Sequence, residues 1–253
     1  MQLVTWNVNS LRARLPRVLE LLATHSPDVV CLQETKVSEA DFPTAELHCA
    51  GYQAVHHSAG RWAGVALLAR ADLSVEDPSR GLVGEPSPDE ARWVEATIEG
   101  LRLASVYVPN GRALDSPSFL EKLAFLDVLA ARAPALDGVL GDFNVAPADR
   151  DVYDPGAFVG STHVSEAERT RLSAVLAGDL VDALRRLHPD EVAYTWWDYR
   201  QGHFHRRMGL RIDLTLLSGR MVAGLRECAV LRDFRKGPRP SDHAPLLCVT
   251  DGA

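Results

Sequence analysis

Four short polar stretches, each abutting an apolar run, carry the side chains that metal-assisted cleavage of a phosphodiester requires. They are Leu32-Gln33-Glu34-Thr35-Lys36, Tyr107-Val108-Pro109-Asn110-Gly111, Gly141-Asp142-Phe143-Asn144 and Ser241-Asp242-His243-Ala244-Pro245. Together they offer an acid to hold a hard cation, an acid to orient water and an imidazole to meet a phosphoryl oxygen. Singly, each has a plainer explanation: Glu34 as an exposed acid at a strand end, Asp142 and Asn144 as an Asx turn, Tyr107 as a core phenol with its hydroxyl at the surface.

The local contexts favour the chemistry. Glu34 follows Val29-Val30-Cys31-Leu32 and so closes a buried strand, where open sheets place their ligand sites. Asp142 and Asn144 stand two apart after an apolar run, so a carboxylate and an amide share one side of an extended chain, and Asn7 and Asn9 repeat that spacing. Asp213 lies inside Leu210 to Leu217, where an acid is costly unless paired, and His243 is its natural partner. The other eight histidines lack such a context and are expected at the surface. From Tyr199 to Ile212 there is no acid, whereas Arg200, His203, His205, Arg206, Arg207 and Arg211 stand among Trp196, Trp197, Tyr199 and Phe204. Such a loop suits a nucleic-acid backbone and its bases, as does a second basic group, Arg232, Arg235, Lys236 and Arg239; a solvated charged loop is the alternative for both.

The elements that must position these groups are legible as strand-like runs at Gln2 to Asn7, Asp28 to Gln33, Gly64 to Arg70, Trp93 to Ile98, Leu101 to Val108, Gly138 to Gly141, Ile212 to Leu217 and Pro245 to Val249. Helical patterns cover Leu11 to Thr24, Ser118 to Arg132 after a Ser116 cap, and Ser165 to Leu176 opened by a Ser165/Glu168 capping box. Paired strands without intervening helices predict two mixed sheets packed face to face with helices outside, in one domain spanning residues 1–253. Asp77 to Glu90, rich in proline, reads as a surface loop.

Composition bounds the rest. A net charge of -7 excludes a protein coated in positive potential, so any nucleic-acid footprint is local. The positive charge is carried by 24 arginines against 3 lysines, which suits bidentate phosphate contacts or reflects codon bias. Cys31, Cys49, Cys228 and Cys248 show no metal-like spacing and read as buried thiols. The N-terminus shows no leader pattern and no run reaches the ~18 apolar residues of a membrane span, so a soluble cytoplasmic protein is expected.

In their order and types these stretches resemble the exonuclease III family of apurinic/apyrimidinic endonucleases. The likeness runs from Leu3 to about Leu247 and includes Thr5 to Ala13, Trp196-Trp197-Asp198-Tyr199 and Gly209 to Asp213. It implies a four-layered α/β sandwich, and a Mg²⁺-dependent enzyme (Mn²⁺ as the other candidate) that incises duplex DNA 5′ to abasic sites and trims or cleans recessed 3′ ends. It implies Glu34 as a metal ligand with Asn7 and Asp242 close by, Asp142 as the water-orienting group supported by Asn144, and His243 with Asp213 facing the scissile phosphate. Tyr107 and Asn110 match phosphate-contacting positions, with Arg112 beside them on the substrate. Trp196, Leu210 and Ile212 match a small apolar pocket for a flipped abasic sugar, and Arg206, Arg207 and Arg211 are expected on DNA. A monomer is expected. Ser10 stands where the family has glycine; serine caps helices well, so the turn should survive. The rivals are a phosphatase or phosphodiesterase of the same fold acting elsewhere, and a catalytically silent binder of damaged DNA.

Overall fold

Along the first strand, β1 (Gln2–Asn7), Leu3 joins one apolar cluster and Val4 and Trp6 another, because successive side chains leave a strand on opposite faces. The same division runs through β2 (Val29–Gln33), with Val29 and Cys31 on one side and Val30 and Leu32 on the other. Runs that are apolar at every position are therefore strands covered on both faces. The computed structural model describes residues 1–251.

The other strands are β3 (Tyr52–His57), β4 (Val65–Arg70), β5 (Val75–Arg80), β6 (Trp93–Ile98), β7 (Leu101–Tyr107), β8 (Gly138–Asp142), β9 (Leu180–Asp182), β10 (Asp213–Ser218), β11 (Leu225–Val230) and β12 (Leu246–Thr250). They form two six-stranded sheets, in the orders β11-β12-β1-β2-β4-β3 and β5-β6-β7-β8-β10-β9. Leu3, Cys31 and Leu67 of one sheet meet Ala96, Leu103, Leu140 and Leu217 of the other in a central core. The outer face of the first sheet packs on α1 (Leu11–His25) through Val18, Leu21 and Leu22. Beyond the short α2 (Thr44–Cys49), α3 (Pro117–Arg132) and α4 (Glu166–Leu176) cover the second sheet through Phe125, Leu126, Leu129, Leu172 and Val175. The result is the expected four layers, with short α5 (Ala183–Leu187) and α6 (Gly219–Val222) at the side. Each fully buried Leu or Phe contributes roughly 1.5–3 kcal/mol, which sets the scale on which these stripes hold the layers together.

All eight expected strands are present to within one residue at either end, and the helices begin on the expected caps: Ser10, Ser116 and Ser165 each accept from a first-turn amide, and Glu168 completes the box. Four strands lacked a sequence signal: β3, β5, β9 and β11. They are the four sheet edges, and an edge strand pairs on one side only, so its side chains need not be apolar. One of them, β5, runs into the segment expected to be a surface loop from Asp77. Cys31, Cys228 and Cys248 are buried as expected, whereas Cys49 is exposed. No described helix is long and apolar enough to cross a membrane.

Topology gathers the polar stretches. β1 and β2 run parallel with α1 as their crossover, and β7 and β8 run parallel with α3 between them. All four strands therefore end at one rim of the sandwich, delivering Asn7, Glu34, Tyr107 and Asp142. β10 and β12 are antiparallel to β8 and β1, so they begin at that rim, just at Asp213 and after His243. Gly141 permits the approach behind it: a Cβ there would lie 2.0 Å from the Val106 carbonyl oxygen.

Candidate active site

Glu34, Asp142 and His243 converge so that one ligand atom from each lies within 4.8 Å of the others. Asn7 stands between the acids, its side-chain amide donating to Glu34 Oε1 at 2.8 Å and to Asp142 Oδ2 at 2.9 Å. The other Glu34 oxygen draws the Lys36 ammonium to 2.6 Å. Asp142 Oδ1 accepts from the Asn144 amide at 2.9 Å, so both oxygens of this buried acid are fixed.

Asp213 sits opposite Asp142 in the ladder between β10 and β8 and reaches His243 Nδ1 at 2.8 Å, which turns Nε2 toward Asp142 at 3.8 Å. Burial works against a charge on His243, but Asp213, with Asp142 behind it, outweighs that cost and raises its pKa to about 10. Burial raises Asp142 to about 7; Asp213 adds to the shift, while His243 and the Asn7 amide oppose it. The remaining Asp213 oxygen is buried without a partner. The strand entrance is anchored by Trp6, whose indole donates to the His243 carbonyl at 3.1 Å, and by Ser241, whose hydroxyl donates to the Asn7 carbonyl at 2.7 Å.

Three donors line the adjoining wall. Tyr107 lies under Arg92, with the guanidinium 4.9 Å from its ring centroid; burial and the nearby Glu34 raise the phenol well above its ordinary pKa, so it acts as an O–H donor. Asn110 donates to Asn144 Oδ1 at 3.3 Å, and Asn144 donates to the Val108 carbonyl at 2.9 Å. A cleft of about 490 Å³ opens from Glu34 and Tyr107 past Lys36, Arg92, Asn110 and Arg112, with Glu90 and Glu121 also on its lining, so its cations stand among acids. A larger cavity, about 680 Å³, lies between Tyr194, Trp197 and Cys228 and contains none of the converging acids.

Some expected placements are corrected. Of the expected metal neighbours, Asn7 lies between the two acids and turns its side-chain nitrogen to them. Asp242 accepts from Asn9 at 3.0 Å and from the Trp196 indole at 3.1 Å, while the acids and imidazole that converge most closely are Glu34, Asp142 and His243. Arg211 is fully buried, paired at 2.7 Å with both Asp151 and Asp182, and has no surface to offer DNA. Leu210 and Ile212 are 0% and 2% exposed and pack with Ala146, Val152, Phe158 and Val164, so of the apolar trio only Trp196 keeps exposed surface. Arg206 and Arg207 are exposed on the basic loop as expected, while Arg235 of the second basic group is buried among Trp197, Tyr199 and Phe204. One histidine expected at the surface is not there, His56, which stacks on Phe42 at 3.7 Å; His163 is half-buried and lies 3.5 Å from Asn110 Nδ2. Sequence reasoning also passed over Lys122, which touches the backbones of both Asn110 and Asn144; a lone lysine within a helical pattern reads as exposed.

The chain is similar to known proteins in sequence and in fold. The profile of the Endonuclease/Exonuclease/phosphatase family matches residues 4–243. The chain is similar to the exodeoxyribonuclease of Bacillus subtilis (strain 168), 29% identical over 98% of this chain and 99% of that one. Among solved structures, it is similar to a 3′ phosphatase, NExo, from Neisseria bound to a product DNA hairpin (TM-score 0.96, 40% identity, all of both chains covered). An AP endonuclease from Archaeoglobus fulgidus is also similar (TM-score 0.95, 36% identity, all of both chains covered).

Proposed function

The chain belongs to the endonuclease/exonuclease/phosphatase family, and from this premise we propose that it is a Mg²⁺-dependent DNA repair phosphodiesterase of the exonuclease III type. It hydrolyses phosphoesters at recessed 3′ ends and 5′ to abasic sites in duplex DNA. The observation that carries this reading is the meeting of Glu34, Asp142 and His243 at one rim, with Asp213 behind the histidine.

The residues fit a divalent cation: Glu34 would hold it, with the Asp142 carboxylate close by, and oxygen donors favour Mg²⁺, with Mn²⁺ able to replace it; His243, protonated against Asp213, stands there as a donor and not a ligand. When bound, the ion neutralises phosphate charge and polarises the ester. The chain's own groups do the rest. Asp142, its oxygens fixed by Asn7 and Asn144, aligns water and takes its proton; the raised pKa makes it a competent base near neutrality. His243, kept cationic by Asp213, donates from Nε2 to a phosphoryl oxygen, and Tyr107, Asn110 and Asn144 supply neutral donors on the other side. Attack in line on phosphorus expels the 3′ oxygen in both cases, which takes up a proton to become a 3′-hydroxyl, releasing a 5′-phosphate end from an internal linkage or free phosphate from a 3′ end.

The buried state of Leu210 and Ile212 favours 3′-end chemistry in this conformation, since a flipped sugar would have to displace Phe158 or Val164 to reach them. The test compares a duplex bearing one abasic analogue with duplexes bearing a recessed 3′-hydroxyl or 3′-phosphate, each with Mg²⁺ and with chelator. Metal-dependent cleavage is expected, fastest at the 3′ ends; no cleavage of any of them with metal present would end the DNA reading. Asp142→Asn should slow turnover by roughly 10²–10⁴-fold with DNA affinity retained. Lost affinity with normal single-turnover chemistry would contradict the role given to Asp142.

A further inference from the structure

Resting on that functional reading, we propose that Lys122 on α3 and Glu168 on α4 are positioning residues, holding the phosphate-contacting amides of Asn110 and Asn144 through the backbone. Both side chains are completely buried and form an ion pair. Lys122 Nζ donates to the Asn144 carbonyl at 2.7 Å, to the Asn110 carbonyl at 3.2 Å and to Thr162 Oγ1 at 3.2 Å, besides Glu168 Oε1. Glu168 in turn accepts from Thr162 Oγ1 and the His163 amide, each at 2.8 Å, and from the Ser165 amide and hydroxyl at 2.9 and 2.7 Å. One charge pair thus ties together the loop after β7, the loop after β8 and the loop before α4. Gly111 makes room for the lysine stem, since a Cβ there would stand 3.0 Å from Lys122 Cδ.

The pair is more than support for the fold. A buried ion pair can often be exchanged for apolar side chains of like volume without loss of stability, whereas removing one partner strands the other's charge. An apolar pair, however, cannot direct donors at two carbonyls. Asn144 also holds a left-handed backbone (φ 51°), which asparagine adopts more readily than other non-glycine residues, and the Lys122 ammonium on its carbonyl helps to fix it.

The experiment separates the two roles with the double variant Lys122→Met/Glu168→Leu, measuring melting temperature, DNA affinity and the single-turnover rate on a 3′-phosphate duplex at saturating DNA and Mg²⁺. The expected result is a lowered melting temperature with the protein still folded at the assay temperature, nearly unchanged affinity, and a rate lower by about 10²-fold, the cost of a misplacement on the order of 1 Å. A stable double variant with an unchanged rate would overturn the proposal. Should that variant not fold, Glu168→Gln is measured alone and with Asn110→Ala: acting through Asn110, it should cost much less in the second background, and additive costs would count against positioning. If the unsubstituted protein cuts no DNA, the functional reading fails, and the side-chain amide resonances of Asn110 and Asn144 decide positioning separately. Displaced resonances in the variants support it, and unmoved ones exclude it.

Discussion

Asp213 can reach a substrate only through His243, so its contribution is to the charge and aim of the imidazole. Asp213→Asn removes the anion that most strongly favours the proton, and in chelated protein the His243 ring should then titrate well below about 10, moving toward the ordinary 6.5. An NMR titration that still placed it near the original value would show that Asp142 and Asp242 suffice. His243→Ala should slow the single-turnover rate by roughly 10²–10³-fold, as for loss of one donor to a developing oxyanion. The reacting side chains were legible in the sequence because each breaks its surroundings: Glu34 and Asp142 end apolar runs, and Asp213 interrupts one. Arg211 misled for the opposite reason, since a run of arginines does not reveal that one of them turns inward to Asp151 and Asp182. His163 and Lys122 carried no local signal at all; what makes them matter is the loop that folds over them.

At the level of elements, the interior strands and capped helices announced themselves and the edges did not, because burial on two faces constrains a sequence far more than pairing along one side. What remained hidden was how loops are tied to strands. Asp151, following β8, joins Arg211 before β10 and Arg185 on α5, while Asp182 at the end of β9 takes the other side of Arg211. Burial raises the Asp151 pKa, but the Arg211 and Arg185 guanidiniums overcome this and leave it below the usual carboxylate value. Its stabilising effect is therefore complete above the unfolded pKa of about 4 and is lost as pH falls through the lower folded value. Asp151→Asn should cost about 1.5–3 kcal/mol at neutral pH by leaving Arg211 with Asp182 alone, and should flatten the acid limb of the melting curve; an equally steep limb would assign acid loss to other carboxylates. On α3, Phe125→Ala should destabilise by about 3–5 kcal/mol in urea titration, since its ring is buried against the second sheet; a cost below 1 kcal/mol would mean that the helix repacks.

Taken whole, the molecule carries a net charge of -7, so attraction for DNA must be local: Lys36, Arg92 and Arg112 line the cleft beside Glu34, and Arg206 and Arg207 stand exposed on the basic loop. Affinity should fall steeply with salt, and replacing Arg206 and Arg207 by Ala should reduce the slope of log K against log salt by about 2; an unchanged slope would make the basic loop a solvated surface. The sandwich and its one chemically rich rim were legible from the order of runs and polar stretches. The closed packing over Leu210 and Ile212 was not, because it depends on Phe158 and Val164 from a loop with no periodicity. There is also a consequence for synthesis. β12 inserts between β11 and β1, and His243 immediately precedes it, so the first strand made waits for one of the last before its edge is paired. A chain emerging from the ribosome that has not yet reached β12 lacks both that pairing and the imidazole, so one segment completes the first sheet and the site together.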